Sequence, residues 1–235
     1  MGRVIPIVVA IVAVGLVVGA VATLWLHFRT ESMPTTSPAT PSSRGTPGFE
    51  QVRSDLDRLP AKGWDRRSDF ARYRFGEAWS DDVDVEFGHN GCNTRDDVLR
   101  RDLADLVIRP GTCFAQSGTL WDPYRGETIA FVRGPATSDA VQVDHVVSLA
   151  DAWYKGARDW DDERRRDFAN DPRNLLAVSA KGNFDKAFRD AASWLPSNVG
   201  FRCDFVARQV EVKSAYGLWV SEKEKRAMTD VLAGC

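Results

Sequence analysis

Val141-Gln142-Val143-Asp144-His145-Val146-Val147 is the stretch that decides how this chain is read. Apolar and polar residues alternate up to Asp144, as on a half-buried β-strand, and the run then sets a carboxylate beside an imidazole. The chain contains three histidines, and only His145 has an acidic neighbour. Imidazole is the usual proton acceptor near neutral pH, and a carboxylate offers a hard oxygen to a cation. Further along, Asn174-Leu175-Leu176-Ala177-Val178 reads as a short strand headed by asparagine, and Asn183 is followed by Lys186 on the same helical face. Asparagine is a poor residue for a helix interior, so Asn183 calls for a reason beyond the helix itself.

Working outward, Asn93 or Thr94 caps a helix expected to run to about Leu106, with Leu99, Leu103 and Leu106 on one face. Residues 128–133 and 141–147 read as two strands around the turn Gly134-Pro135. Ser148-x-x-Asp151 resembles a capping box opening a helix to Gly156, and a second helix covers 161–170, where Pro172 stops it. Residues 181–190 and 204–217 are expected to be helical, and Ser221-x-x-Glu224 opens the last helix. The fold class is α+β: a helix-rich single domain at 49–235 with its core at about 128–196.

The ends of the chain bear on compartment. Residues 4–26 carry no charge, long enough for one membrane-spanning helix. Ala20-Val21-Ala22 resembles a signal cleavage site, but Leu24-Trp25-Leu26 continue the apolar run past it, which favours an uncleaved anchor at 1–28. The Pro/Ser/Thr-rich stretch at 29–48 cannot bury a core and reads as a tether. Four cysteines, Cys92, Cys113, Cys203 and Cys235, all follow the anchor, with no Cys-x-x-Cys pair. Behind an export segment they read as two disulfides. Spacing leaves three connectivities open; local pairing of Cys92 with Cys113 and Cys203 with Cys235 is the expectation.

Charge says less. The chain carries a net −2, which argues against tight nonspecific binding of nucleic acid but not against an enzyme that binds one phosphate locally. Arg164-Arg165-Arg166, flanked by Asp161, Asp162 and Glu163, is expected to be a solvated helix face rather than a phosphate patch. Of the eight tryptophans, most are core candidates, with Trp153 and Trp160 as minor candidates for base stacking. No Gly-x-Ser-x-Gly elbow supports a serine hydrolase using Ser148 or Ser179.

A strand ending in Asp-His, a strand headed by Asn and a helix carrying a further ligand is the order of a ββα-metal site. The chain resembles the HNH endonucleases, and more closely the C-terminal HNH domain of GmrSD-type restriction enzymes in an exported, bacterial form. The residues that carry the likeness are Asp144-His145-Val146-Val147, Phe168-Ala169-Asn170-Asp171, Asn174-Leu175-Leu176-Ala177-Val178, Asn183-x-x-Lys186 and Trp194-Leu195-Pro196, with Gly91-Cys92-Asn93-Thr94-Arg95, Asp122-Pro123-Tyr124, Arg202-Cys203 and Val206-Ala207-Arg208 at its margins.

The resemblance implies that His145 is a general base, that Asp144 and Asn183 hold one divalent cation, and that Asn174 holds the loop that positions the base. Lys186 would contact phosphate, with Arg95 and Arg133 as further candidates for a phosphate clamp. Two oxygen donors suit Mg²⁺, with Mn²⁺ as the other candidate, rather than zinc. The implied partner is nucleic acid, DNA before RNA, with the membrane as a second partner through the N-terminal helix. Cleavage would leave a 5′-phosphate and a 3′-hydroxyl. Adjacent residues on a straight strand point to opposite faces, so β-structure is expected to end, twist or bulge at Asp144-His145. The chain departs from the family pattern after Lys186, where Ala187-Phe188 stands in place of Gly-Asp. That departure and the near-neutral charge favour the alternative, an inactive nuclease fold serving as an envelope binding or scaffold module.

Overall fold

The computed structural model describes residues 48–235 apart from 66 and 68. The anchor and nearly all of the tether lie outside them; among the described residues no helix is long and apolar enough to cross a membrane. The chain opens with α1 (Phe49–Arg58), which buries Val52 and Leu56, and passes through a 3-10 turn at Arg72–Phe75. Then come α2 (Thr94–Asp102), β1 (Ala104–Ile108), β2 (Ala115–Asp122), β3 (Glu127–Val132) and β4 (Val141–His145). They are followed by α3 (Leu149–Tyr154), α4 (Asp162–Asn170), β5 (Leu175–Ser179), α5 (Ala180–Lys186), α6 (Arg202–Tyr216) and α7 (Glu222–Ala233). The fold is α+β.

The strands form two antiparallel sheets, one ordered β1-β2-β3 and the other the β4-β5 pair. Two expectations are corrected here. The helix from Thr94 ends at Asp102, and Ala104–Ile108 is a strand paired with β2. Leu106 therefore belongs to a pleat rather than to the helix face of Leu99 and Leu103. The strands flanking Gly134-Pro135 do not pair with each other: β3 joins β2, whereas β4 joins β5, more than thirty residues later. Strand pairing across that distance is decided by which faces are apolar, a long-range matter that local pattern does not carry.

In the β4-β5 ribbon, β5 is apolar on both faces and β4 on the one that carries Val141 and Val143. Val141, Val143, Leu175 and Ala177 pack with Val98, Leu99, Leu120 and Phe131 under the three-stranded sheet. Leu176 and Val178 pack with Tyr124, Phe205, Val210 and the helices α1 and α7. Its outer edge is closed by α2, because the Asp102 carboxylate accepts from the Ala177 amide at 2.8 Å and Arg101 donates to the carbonyls of Pro172 and Leu175 at 2.7 Å. An edge satisfied in this way cannot recruit another strand.

Helix starts follow the sequence signals. Asn93, Ser148, Asp161, Ser179 and Ser221 each accept a hydrogen bond from a backbone amide in the first turn. Only Ser221-x-x-Glu224 closes as a full capping box. Asp151 instead turns inward. Both disulfides take the local pairing, Cys92–Cys113 and Cys203–Cys235, with Cα separations of 5.6 and 5.9 Å.

Asp151, Asp190 and Glu224 meet Lys155 and Lys213 in an almost completely buried ionic cluster. Lys155 Nζ reaches Asp151, Asp190 and Glu224 at 2.5, 2.9 and 2.6 Å, and Lys213 Nζ reaches Asp151 and Glu224 at 2.8 and 2.9 Å. Burial alone would push the Lys155 ammonium down, but the three carboxylates outweigh it and hold the group above the ordinary lysine value. The cluster ties α3, α6 and α7 to the segment after α5. Lys155→Met should destabilise the protein by about 3–5 kcal/mol, because it leaves three buried carboxylates facing one lysine. Lys181→Met, which breaks the exposed Lys181–Asp185 pair, should cost less than about 1 kcal/mol; urea unfolding of both variants checks the contrast.

Candidate functional site

β4 and β5 pair in regular register, with Asp144 opposite Leu176 and His145 opposite Leu175. The strand ends at His145, as expected, and the chain turns immediately into α3. Asn174, buried just before β5, clasps that turn. Its Oδ1 accepts from the Val147 amide at 2.8 Å, its Nδ2 donates to the Val147 carbonyl at 3.2 Å, and its own carbonyl accepts from the Val146 amide at 2.7 Å. It thereby fixes the backbone that follows the imidazole.

His145 is 6% exposed. Its Nε2 lies 2.8 Å from the Ala169 carbonyl and Trp79 stacks on the ring with centroids 6.0 Å apart. Only an N–H can bond a carbonyl, so Nε2 carries the proton and Nδ1 keeps the lone pair. Burial drives the pKa down to about 3; the Ala169 bond opposes this, and the nearby charges of Arg72 and Lys186 add to it. The ring is therefore a neutral acceptor at physiological pH. It lines a cavity of about 240 Å³ together with Arg72, Tyr73, Glu77, Trp79 and Asn170. Asn170 is buried; its Nδ2 donates to the Arg166 carbonyl, but its Oδ1 accepts nothing.

Asp144 leaves the opposite face of β4. Its Oδ2 accepts from the Tyr124 hydroxyl at 2.7 Å and pairs with Lys186 Nζ at 2.8 Å. Burial, followed by the Asp144 charge, holds the Tyr124 phenol well above its usual range, so it stays a donor. Lys186 is wholly buried, and its Nζ also donates to the His145 carbonyl at 2.7 Å. Helix α5 comes this close because residue 182 is glycine: a Cβ there would meet Ser179 Oγ at 2.9 Å and Tyr124 Cβ at 3.2 Å. One turn earlier, Asn183 Nδ2 donates to Gln142 Oε1 at 2.8 Å. Asp144, Gln142, Asn183 and Lys186 thus share one face of the ribbon, and His145 occupies the other.

Several expectations change against this geometry. Asp144, His145 and Asn183 do not converge on one point; the pleat separates the imidazole from the oxygen donors, and no bulge intervenes. Lys186 is bound to Asp144 and a carbonyl, with no exposed surface to offer a phosphate. Arg95 donates to the Val141 carbonyl at 3.2 Å, and Arg133 bonds Asp96 and the Ala115 carbonyl, so both candidates for the clamp instead fasten α2 to the strands. The run 161–166 is a solvated face only at its start, where 161–164 are exposed and Arg164 also bonds the Tyr216 carbonyl; Arg165 is buried against the Trp160 carbonyl, and half-buried Arg166 pairs with Asp82. Trp153 and Trp160 pack into the cluster around Phe168, away from any base-stacking role. Arg72, Tyr73, Trp79 and Asn170 were not anticipated as site residues. Asn170 lay within a stretch that carried the resemblance, whereas the 72–79 segment offers no spacing signal.

Asp144 and Asn183 are hard oxygen donors on one face. Asp144 makes both of its contacts through Oδ2, and Asn183 uses only its amide N–H, leaving its Oδ1 without a partner among the described residues. Both are oxygen donors of the kind that magnesium takes while keeping several of its waters. They do not fit a structural zinc, and among the described residues no three His, Cys, Asp or Glu side chains gather for one.

Two antiparallel strands, the first ending in Asp-His and the second headed by Asn, followed by a helix with Asn and Lys one turn apart, define a nuclease-like ββα unit. By the match of residues 93–231, more than half of its length, the chain belongs to the family described as GmrSD restriction endonucleases, C-terminal domain. It is also 40% identical over 146 residues, 61% of this chain and 68% of the relative, to an "Uncharacterized secreted protein" of Arthroderma benhamiae. That relative is fungal, so it lends no support to the expectation of a bacterial form. No solved structure matches the chain.

Two stability outcomes follow. His145 is held neutral in the fold but titrates near its ordinary value of about 6.5 when unfolded, so its contribution is complete above pH ~6.5 and fades as pH falls toward about 3. In metal-free buffer, the His145→Asn variant should lose that part of the slope of unfolding free energy against pH in this window. Ala187, which ends α5 at φ 51°, ψ −125°, occupies a region that favours glycine. Ala187→Gly should raise stability by about 1 kcal/mol, read as a higher urea midpoint.

Proposed function

We propose that this protein is an exported, metal-dependent endonuclease that hydrolyses phosphodiester bonds of DNA. The observation that carries the reading is a buried, neutral imidazole with one free nitrogen, lining a solvent-reaching cavity at the end of the β4-β5 ribbon. Nδ1 of His145 takes the proton of the attacking water, while the Ala169 carbonyl keeps the tautomer and Trp79 keeps the ring plane. Asn170 Oδ1, the other unpartnered acceptor at this cavity, accepts a hydrogen bond from the water's second O–H and orients it; the hydroxide oxygen bonds to phosphorus as the P–O3′ bond breaks, and the departing 3′ oxygen is protonated by solvent. A divalent ion, Mg²⁺ or Mn²⁺, held by Asp144 and Asn183 would supply charge neutralisation at the phosphate. Lys186 positions both halves through Asp144 and the His145 carbonyl. The substrate spans the end of β4, where the ribbon stops and the two faces meet.

Two disulfides and the description of the relative as secreted support an extracytoplasmic setting. Residues 4–26 serve as a single-pass anchor in this reading. The scaffold alternative draws on Lys186 already neutralising Asp144 and on the strained Ala187.

Purified full-length protein should nick supercoiled plasmid with Mg²⁺ or Mn²⁺ and not with EDTA. His145→Ala should lower the rate by about 10²–10⁴-fold, and Asn183→Ala should raise the Mg²⁺ concentration needed for half-maximal rate. A parallel RNA substrate sets the nucleic-acid preference. No metal-dependent cleavage, or equal cleavage by wild type and His145→Ala, would leave the scaffold reading standing.

A further inference from the structure

We propose that Arg72-Tyr73, which precedes the family-matched residues, is the strand-gripping element of this site: Arg72 binds a backbone phosphate beside His145, and Tyr73 stacks an adjoining unpaired base. The inference rests on the nucleic-acid reading above and names the substrate form, a single strand. Arg72 lines the cavity that holds His145 and makes no hydrogen bond or ion pair with any described residue. The arginines first suspected of binding phosphate, Arg95 and Arg133, are all engaged by backbone or carboxylate groups. A guanidinium without a partner among the described residues, in one lining with the buried, unpartnered Asn170 Oδ1 and with His145, whose Nε2 is the ring nitrogen bonded to the protein, describes a cavity shaped for an anionic ligand accompanied by water.

Tyr73 is 76% exposed, an unusual place for a large ring, yet it is held in position. The Arg74 guanidinium lies 5.8 Å from the Tyr73 ring and 5.3 Å from the ring of buried Trp153, so one cation links the exposed aromatic to the core. A fixed, exposed ring flanked by arginines is the pattern that binds single strands, where each base has a free face. A duplex keeps its bases stacked on one another, and a cavity of about 240 Å³ admits part of one nucleotide rather than a helix. Glu77, the carboxylate in the same lining, opposes an anion and limits affinity.

The test uses the full-length protein with a fluorescent oligothymidylate and a blunt duplex, by anisotropy in EDTA and by cleavage in Mg²⁺. Both side chains are exposed, so the variants should keep the wild-type melting temperature. Arg72→Ala should weaken single-strand binding about 5- to 50-fold and reduce the slope of log affinity against log salt by about 0.7. Tyr73→Ala should weaken the single strand about 5- to 100-fold and leave the duplex unchanged, with Tyr73→Phe restoring it. Glu77→Gln should tighten binding. Unchanged binding by Arg72→Ala and Tyr73→Ala, equal loss on duplex and single strand, or failure of Tyr73→Phe to rescue would overturn the proposal. Wild-type binding without any cleavage would sink the nuclease reading and leave this one intact; cleavage unaffected by these variants would do the reverse.

Discussion

The ammonium group of Lys186 has no contact with solvent, and the centre of the molecule is arranged to make that tolerable. An unpaired buried cation would be prohibitive, so three elements converge on it. The Asp144 carboxylate supplies the opposite charge, the His145 carbonyl takes a second N–H, and the Tyr124 hydroxyl completes the same carboxylate oxygen. These partners come from the end of β4 and from the loop after β2, while Lys186 closes α5. Removing the Asp144 carboxylate would strand the Lys186 charge in an apolar surround, and the Tyr124 hydroxyl and His145 carbonyl add bonds that fix the geometry of the pair.

That fixity governs the chemistry available. With β4 held flat against α5, the pleat sends Asp144 toward the helix and His145 toward the 72–79 segment. The Asp144 carboxylate and the His145 imidazole therefore lie on two sides of one strand end. Asn174 holds the turn between them through both its side chain and its carbonyl. The imidazole stays neutral because it is buried, which makes it an acceptor at neutral pH.

Around this centre, stability is distributed among devices that suit a protein outside the cytoplasm. Two disulfides close loops at either end of the matched region, each worth on the order of 3 kcal/mol. The buried Lys155–Lys213 cluster binds α3, α6 and α7 to the segment after α5 by charge rather than by apolar contact. Breaking it by removing one partner would leave an uncompensated buried charge.

The sequence by itself determined the local units: the caps at Asn93, Ser148 and Ser221, the strand ending in Asp144-His145, and the Asn174, Asn183 and Lys186 order that marks the ββα unit. These are readable because each depends on neighbours within a few residues or on a fixed spacing. Tertiary structure alone decided which strands pair, that Arg95 and Arg133 serve the scaffold, that Lys186 is buried, and that Arg72 and Trp79 face His145. Each of those depends on side chains brought together from distant parts of the chain. Burial and opposing charge set their roles, and neither quantity exists until the chain has folded.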